Sequence, residues 1–190
     1  MSQITYTMTN DPLHTRKQYW RNIARQRPNT IVPPGPGQES VWDYPRPPLV
    51  EPVAARLHVS YAGVALAETS QGLRVLETSS PPVYYFPPND VRTEFLDPMI
   101  HTTLCEWKGV ATYWNVNIRG RRQEAVGWTY EEPAEGFEQL ESYFAFYAGI
   151  VDACYVGSER VVPQASDYYG GWVTSNIVGP FKGIPGSERW

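Results

Sequence analysis

The sequence predicts a mainly β protein: a compact antiparallel β-barrel or tent-like sheet with one short helix, preceded by an N-terminal helix and flanked by extended arms. Three observations carry this. Runs of period-two alternation recur through the middle of the chain, beginning with Leu57 and Val59 set between Arg56, His58 and Ser60. Turn residues separate the runs, as at Tyr61-Ala62-Gly63 and Arg119-Gly120. Aromatic residues, which pack well on pleated surfaces, form 14% of the chain, well above ordinary usage. A chain of 190 residues buries about 70% of its unfolded surface, so it needs neither a disulfide nor a metal staple.

Three segments follow from the composition. Residues 1–54 read as a helix and a proline-rich arm. Asp11-Pro12 is an N-cap with Pro at the first helical position, and Leu13, Trp20, Ile23 and Ala24 share one face of a helix ending before Pro28. Arg16, Lys17, Arg21, Arg25 and Arg27 form a basic, solvated opposite face. The arm that follows has no periodicity, and Trp42 and Tyr44 are its anchors.

Residues 55–156 are the β core. A hairpin turns at Ala62-Gly63, and strands are expected at 73–78, 82–87, 101–107, 110–118 and 122–130. Along 110–118, alternation puts Trp114, Val116 and Ile118 on a dry face and Tyr113, Asn115 and Asn117 on a polar or ligand-facing one. Pro133 to Leu140 is the expected short helix, after which Phe144 and Phe146 resume strand alternation. Residues 157–190 form a Gly- and aromatic-rich tail packed on the core, with Tyr168, Trp172 and Trp190 as docking side chains.

Charge narrows the function classes. A net charge of −4 and a pI near 5.4 argue against nucleic acid as a partner. No apolar run approaches the roughly 20 residues of a membrane span, so no membrane is expected. Two cysteines and no Asn-x-Ser/Thr acceptor place the chain in the cytoplasm with reduced thiols.

The motifs Arg74-Val75-Leu76-Glu77, Pro82-Val83-Tyr84-Tyr85-Phe86-Pro87, Asp90-Val91, Lys108-Gly109-Val110-Ala111-Thr112-Tyr113-Trp114 and Trp128-Thr129-Tyr130 occur in linked order. Through them residues 55–156 resemble the domain of unknown function 427 family. The Gly37–Pro47 arm and the Tyr169-Gly170-Gly171-Trp172 tail look like those of one subgroup. The resemblance implies a compact, mostly antiparallel β-fold and no established activity. A Pro commonly follows the Cys before the Lys-Gly pair in the family pattern, whereas Glu106 stands here.

The chain has only three lysines, and two of them, Lys108 and Lys182, sit in aromatic-Lys-Gly triplets. Lys108, retained in the family pattern, is the first candidate: an anion-binding or acid–base amine, against the alternative of a turn lysine stacked on Trp107 or paired with a nearby acid. Lys182 reads as a surface charge on the tail. Glu77, ending an apolar strand, is the carboxylate candidate for proton transfer beside Lys108. Ligand contacts are expected from Tyr84, Tyr85, Asp90, Tyr113, Trp128 and Tyr130, with one of the adjacent Tyr84 and Tyr85 facing the cavity. Asp90 is also a capping candidate.

No metal site and no cofactor are expected. His101 and Cys105 lie about 13 Å apart along a strand, there is no phosphate loop or nucleophile elbow, and Cys105 reads as a structural thiol. Two functions remain open. One is a small-molecule pocket, binding or catalytic, for a carboxylate- or enolate-bearing metabolite. The other is an interaction module whose arms wrap a partner or a second copy of the chain.

Overall fold

The computed structural model describes residues 12–190. Among them one α-helix, α1 (Pro12–Asn22), leads into the arm strands β1 (Glu39–Ser40) and β2 (Leu49–Pro52). The core continues as β3 (Leu57–Tyr61), β4 (Val64–Thr69), β5 (Leu73–Glu77), β6 (Ser80–Tyr85), β7 (Leu96–Cys105), β8 (Gly109–Ile118), β9 (Arg121–Thr129), β10 (Ala145–Phe146) and β11 (Ala153–Val156). The tail adds β12 (Glu159–Arg160), β13 (Val162–Pro163), β14 (Trp172–Val173) and β15 (Ile177–Val178).

The fold is mainly β, and the strands form separate sheets rather than a closed barrel. One sheet runs β10-β9-β8-β7, a second β12-β11-β3-β4, and a third β2-β5-β6. All neighbours in these sheets are antiparallel. Closure would need continuous ladders, and several are broken. Pro81 and Pro82 remove two donors from β6, and register shifts interrupt β7 after Pro98 and β8 after Trp114.

The two hairpin turns follow the sequence expectation. Ala62 and Gly63 (φ 50° and 72°) and Arg119 and Gly120 (φ 53° and 81°) take the doubly left-handed conformation of two-residue loops matched to strand twist. In β3, Leu57, Val59 and Tyr61 are buried and meet Leu66, Val116, Ile118, Phe146 and Trp172 in the main core. A second apolar cluster, around Val75, Tyr85, Trp128, Tyr130 and Leu140, lies toward the site described below.

Three expectations need correction. The short helix expected over Pro133 to Leu140 is one 3₁₀ turn, Glu138–Leu140, because Pro133 and the left-handed Gly136 (φ 88°) block propagation. Asn115 leaves the predicted polar face: it is buried at the β8 bulge, where its Oδ1 accepts the Ala125 N–H at 3.1 Å. The helix stops at Asn22, before Pro28 but short of the Ile23 and Ala24 that were expected on its face, and its basic region makes specific contacts although Arg21 and Arg27 remain exposed. Arg21 donates to the Glu106 carbonyl at 3.0 Å and lies over the Trp107 ring, while Arg27 donates to the Trp42 carbonyl at 3.3 Å. The Asp11 cap and the packing of Leu13 and Trp20 lie outside the described residues and side chains.

Arm and tail are joined to each other. β1 pairs in parallel with β15, Trp42 Nε1 donates to Pro180 O at 2.9 Å, and Trp42 meets Trp190 edge-on. Arg74 on β5 clamps this layer to the core by bonding Glu39 and Glu51. Buried Trp172 donates from Nε1 to Phe146 O at 2.9 Å and packs on Tyr84 and Phe86.

Candidate functional site

The β7–β8 hairpin places Lys108. Cys105 pairs with Gly109 across the turn formed by Glu106, Trp107 and Lys108. Gly109 holds φ +105°, and a Cβ there would press within 3.3 Å of the backbone at Glu132 and Ala134, so the position favours glycine twice over. The Lys108 N–H points at Cys105 Sγ (3.5 Å), and its carbonyl accepts the Ala134 N–H at 2.9 Å. Fixed on both sides, Lys108 is 8% exposed. Its ammonium lies 5.8 Å from the Tyr130 ring centre. Among the described residues its hydrogen-bonding neighbour is the Cys105 sulfur, and no oxygen partner is present.

Around it opens a cavity of about 830 Å³. Alternation on β6, β8 and β9 supplies its aromatic wall: Tyr85, Tyr113, Trp128 and Tyr130. The tail from Gln164 to Gly170 forms another side. Gly170 lies so close to the Trp128 ring that a Cβ would sit 2.3 Å from it, and Tyr147 Oη donates to the Tyr168 carbonyl at 3.2 Å. A smaller cavity of about 580 Å³ shares the tail segment and Tyr113 as a wall.

The rim is an ion-pair network that the sequence did not disclose. Arg46, from the arm, donates to Glu77 and, at 3.0 Å, to Glu106, while lying over the Trp107 ring. Arg25 approaches Glu106 at 3.6 Å. Glu106 thus ties α1 and the arm to the β7–β8 turn.

Electrostatics separate the two cavity lysines. Burial works to lower the Lys108 pKa, and Cys105, Tyr85 and Glu77 act against it, with the net direction upward from the ordinary lysine value. Burial also pushes the Tyr85 and Tyr130 hydroxyls up. The Tyr85 hydroxyl is wholly buried and has no hydrogen-bond partner among the described residues. Lys182, from the tail, is pulled down to about 8, by burial first and then by Arg25 and Arg46.

Of the residues singled out from sequence, Lys108, Glu77, Tyr85, Tyr113, Trp128 and Tyr130 all line the cavity. Tyr84 and Asp90 do not. Tyr84 points the opposite way along β6 and packs 5.2 Å from Trp172, while Asp90 ends a 3₁₀ turn with its N–H bonded to Pro87 O. Glu77 is held by Arg46 rather than set free beside Lys108. Sequence reasoning passed over Lys182, Arg46, Cys105 and Tyr147 as site residues; for Lys182 the repeated aromatic-Lys-Gly triplet was the available signal.

Among the described residues no group of three or more His, Cys, Asp or Glu converges as metal ligands, and no helix is long and apolar enough to cross a membrane. Residues 49–157 match the family model described as Domain of unknown function (DUF427), and the chain belongs to that family. No curated protein matches the chain.

Proposed function

We propose that the cavity binds a small metabolite bearing a carboxylate or enolate. The Lys108 ammonium and Tyr85 hydroxyl meet the anionic oxygen, and Tyr113, Trp128 and Tyr130 flank the apolar or aromatic remainder. One observation carries this reading: a buried ammonium with no oxygen partner, within electrostatic reach of a buried hydroxyl that also lacks one. Burying a cation is costly unless an anion accompanies it, and a ligand carboxylate supplies both the charge and two acceptors. If the site also catalyses a reaction, an ammonium suits stabilisation of a developing enolate or donation of a proton, while Glu77 and the tyrosines remain its acid–base partners. The two free thiols suit a cytoplasmic setting. The pairing of arm with tail inside one chain favours this reading over arms that wrap a partner or a second copy.

Calorimetric titration of a panel of small aromatic and aliphatic carboxylates tests it. Lys108→Met should abolish binding while keeping the stem's packing, and Lys108→Arg should impair it because a planar fork does not replace a compact ammonium. Ligands whose affinity ignores both substitutions would overturn the proposal.

A further inference from the structure

The second cavity lysine, Lys182, differs from Lys108 in its charged neighbours and in the direction of its pKa shift. Its backbone is fastened to the core, with Lys182 N–H donating to Ser79 O at 2.8 Å and Gln164 Nε2 donating to Lys182 O at 2.6 Å. The next residue, Gly183 (φ +115°), sits so close to Ala165 and Ser166 that a Cβ would lie 2.8 Å from each. This anchoring presents the side chain to the cavity, with Nζ 5.5 Å from the Tyr169 ring centre. Its hydrogen bond goes to the Trp190 main-chain oxygen at 3.3 Å, an oxygen that Arg25 also approaches at 3.4 Å. The charged groups acting on it most strongly are Arg25 and Arg46, which oppose a further positive charge, and Glu77 and Glu106, which favour one; the carboxylates of Asp167 and Glu188 line the same cavity. Glu77 and Glu106 already bond Arg46.

We propose that Lys182 is the nucleophilic amine of this cavity and forms an imine with a small aldehyde or ketone. A half-buried amine beside other cations is the arrangement that leaves a lysine unprotonated near neutrality. An amine titrating near 8 has a free-base fraction at pH 7.4 on the order of a hundredfold above that of an ordinary lysine. The Nζ lone pair adds to the carbonyl carbon, and the carbonyl π electrons pass to oxygen, which takes a proton. Loss of that oxygen as water leaves the C=N bond, so no oxidant or reductant is consumed. The inference goes beyond anion binding at Lys108 and stands on a different residue.

Because the chain has three lysines, competitive labelling can resolve each one. Trace acetic anhydride labelling across pH 6–11, read by peptide mass spectrometry, should give Lys182 an apparent pKa near 8 and at neutral pH a rate at least tenfold above that of Lys17. Lys108 should be the slowest. Incubation with propanal or glyoxylate and cyanoborohydride should then place the reduced adduct on Lys182. In Lys108→Met the propanal adduct should persist. Loss of the glyoxylate adduct alone in that variant supports the anion site as well, whereas its retention counts against the anion site and leaves the imine intact. Labelling of Lys182 no faster than Lys17, or adducts confined to Lys17, would overturn the proposal.

Discussion

Arg46 on the proline-rich arm bonds Glu77 at the end of β5, so the strand carboxylate that borders the cavity is held by a residue 31 positions earlier in the chain. The same guanidinium reaches Glu106, and both partners are only about one-fifth exposed. Arg46→Gln would leave two half-buried carboxylates facing each other without their shared cation. Between the small worth of an exposed pair and the larger penalty of breaking a buried one, the expected loss is about 1–3 kcal/mol. Urea unfolding should show it, with Arg46→Gln/Glu77→Gln less destabilised than Arg46→Gln alone.

What was legible in the sequence was what neighbours along the chain determine. Alternation at Leu57, Val59 and Tyr61 marked a core strand, and the same alternation sent Tyr84 and Tyr85 to opposite sides. The hairpin turns were readable because positive φ at two adjacent positions restricts which residues stand there. The rim was not readable. Arg46, Glu77 and Glu106 meet through tertiary contacts that have no period, and Arg21, though exposed, reaches the Trp107 ring and the Glu106 carbonyl through contacts that no local pattern announces. Lys182 was read as a surface charge because nothing local shows that a tail folds back to within bonding distance of Ser79 and Gln164. Asn115 followed the alternation rule on paper and departed from it where a bulge changed the register.

The tail's grip on the core rests on Trp172, which is fully buried and bonded to Phe146 O. Trp172→Ala removes that contact and opens a void against Tyr84 and Phe86. The expected cost is about 3–5 kcal/mol, or roughly 10 °C in melting temperature for a domain of this size. Deleting residues 163–190 should also lower the melting temperature, and an unchanged transition would show that the tail contributes nothing to the core.

Gly170 sets how closely the tail lies on Trp128. Gly170→Ala places a methyl 2.3 Å from that ring, too short for any relaxed contact, so the tail must lift from the cavity wall. At Gly149, where an added Cβ meets Pro163 at an ordinary 3.5 Å, the same substitution should be tolerated. Limited proteolysis should therefore cut the 165–171 segment faster in Gly170→Ala than in Gly149→Ala or the parent. Equal cutting rates would show that the Gly170 approach does not hold the tail down.

The lowered pKa of Lys182 fixes the sign of a pH effect on stability. Folded Lys182 titrates near 8, below the ordinary 10.5 of an unfolded lysine. Between those values the unfolded chain binds more protons than the folded one, and stability rises with pH wherever that holds. Below pH 8 both states are protonated and the folded protein bears the full penalty of a cation beside Arg25 and Arg46. Buried tyrosines act in the opposite direction at high pH, since their raised values make ionisation a load on the folded state. Subtracting the unfolding free energy of Lys182→Met from that of the parent cancels the tyrosines and isolates the lysine. That difference should be constant from pH 6 to 7, move in favour of the parent from about pH 8 to 10, and level off above the unfolded value. Parallel urea titrations at pH 6.5, 8 and 9.5 measure it, and a flat difference would mean that Lys182 titrates in the folded protein as it does in the unfolded chain.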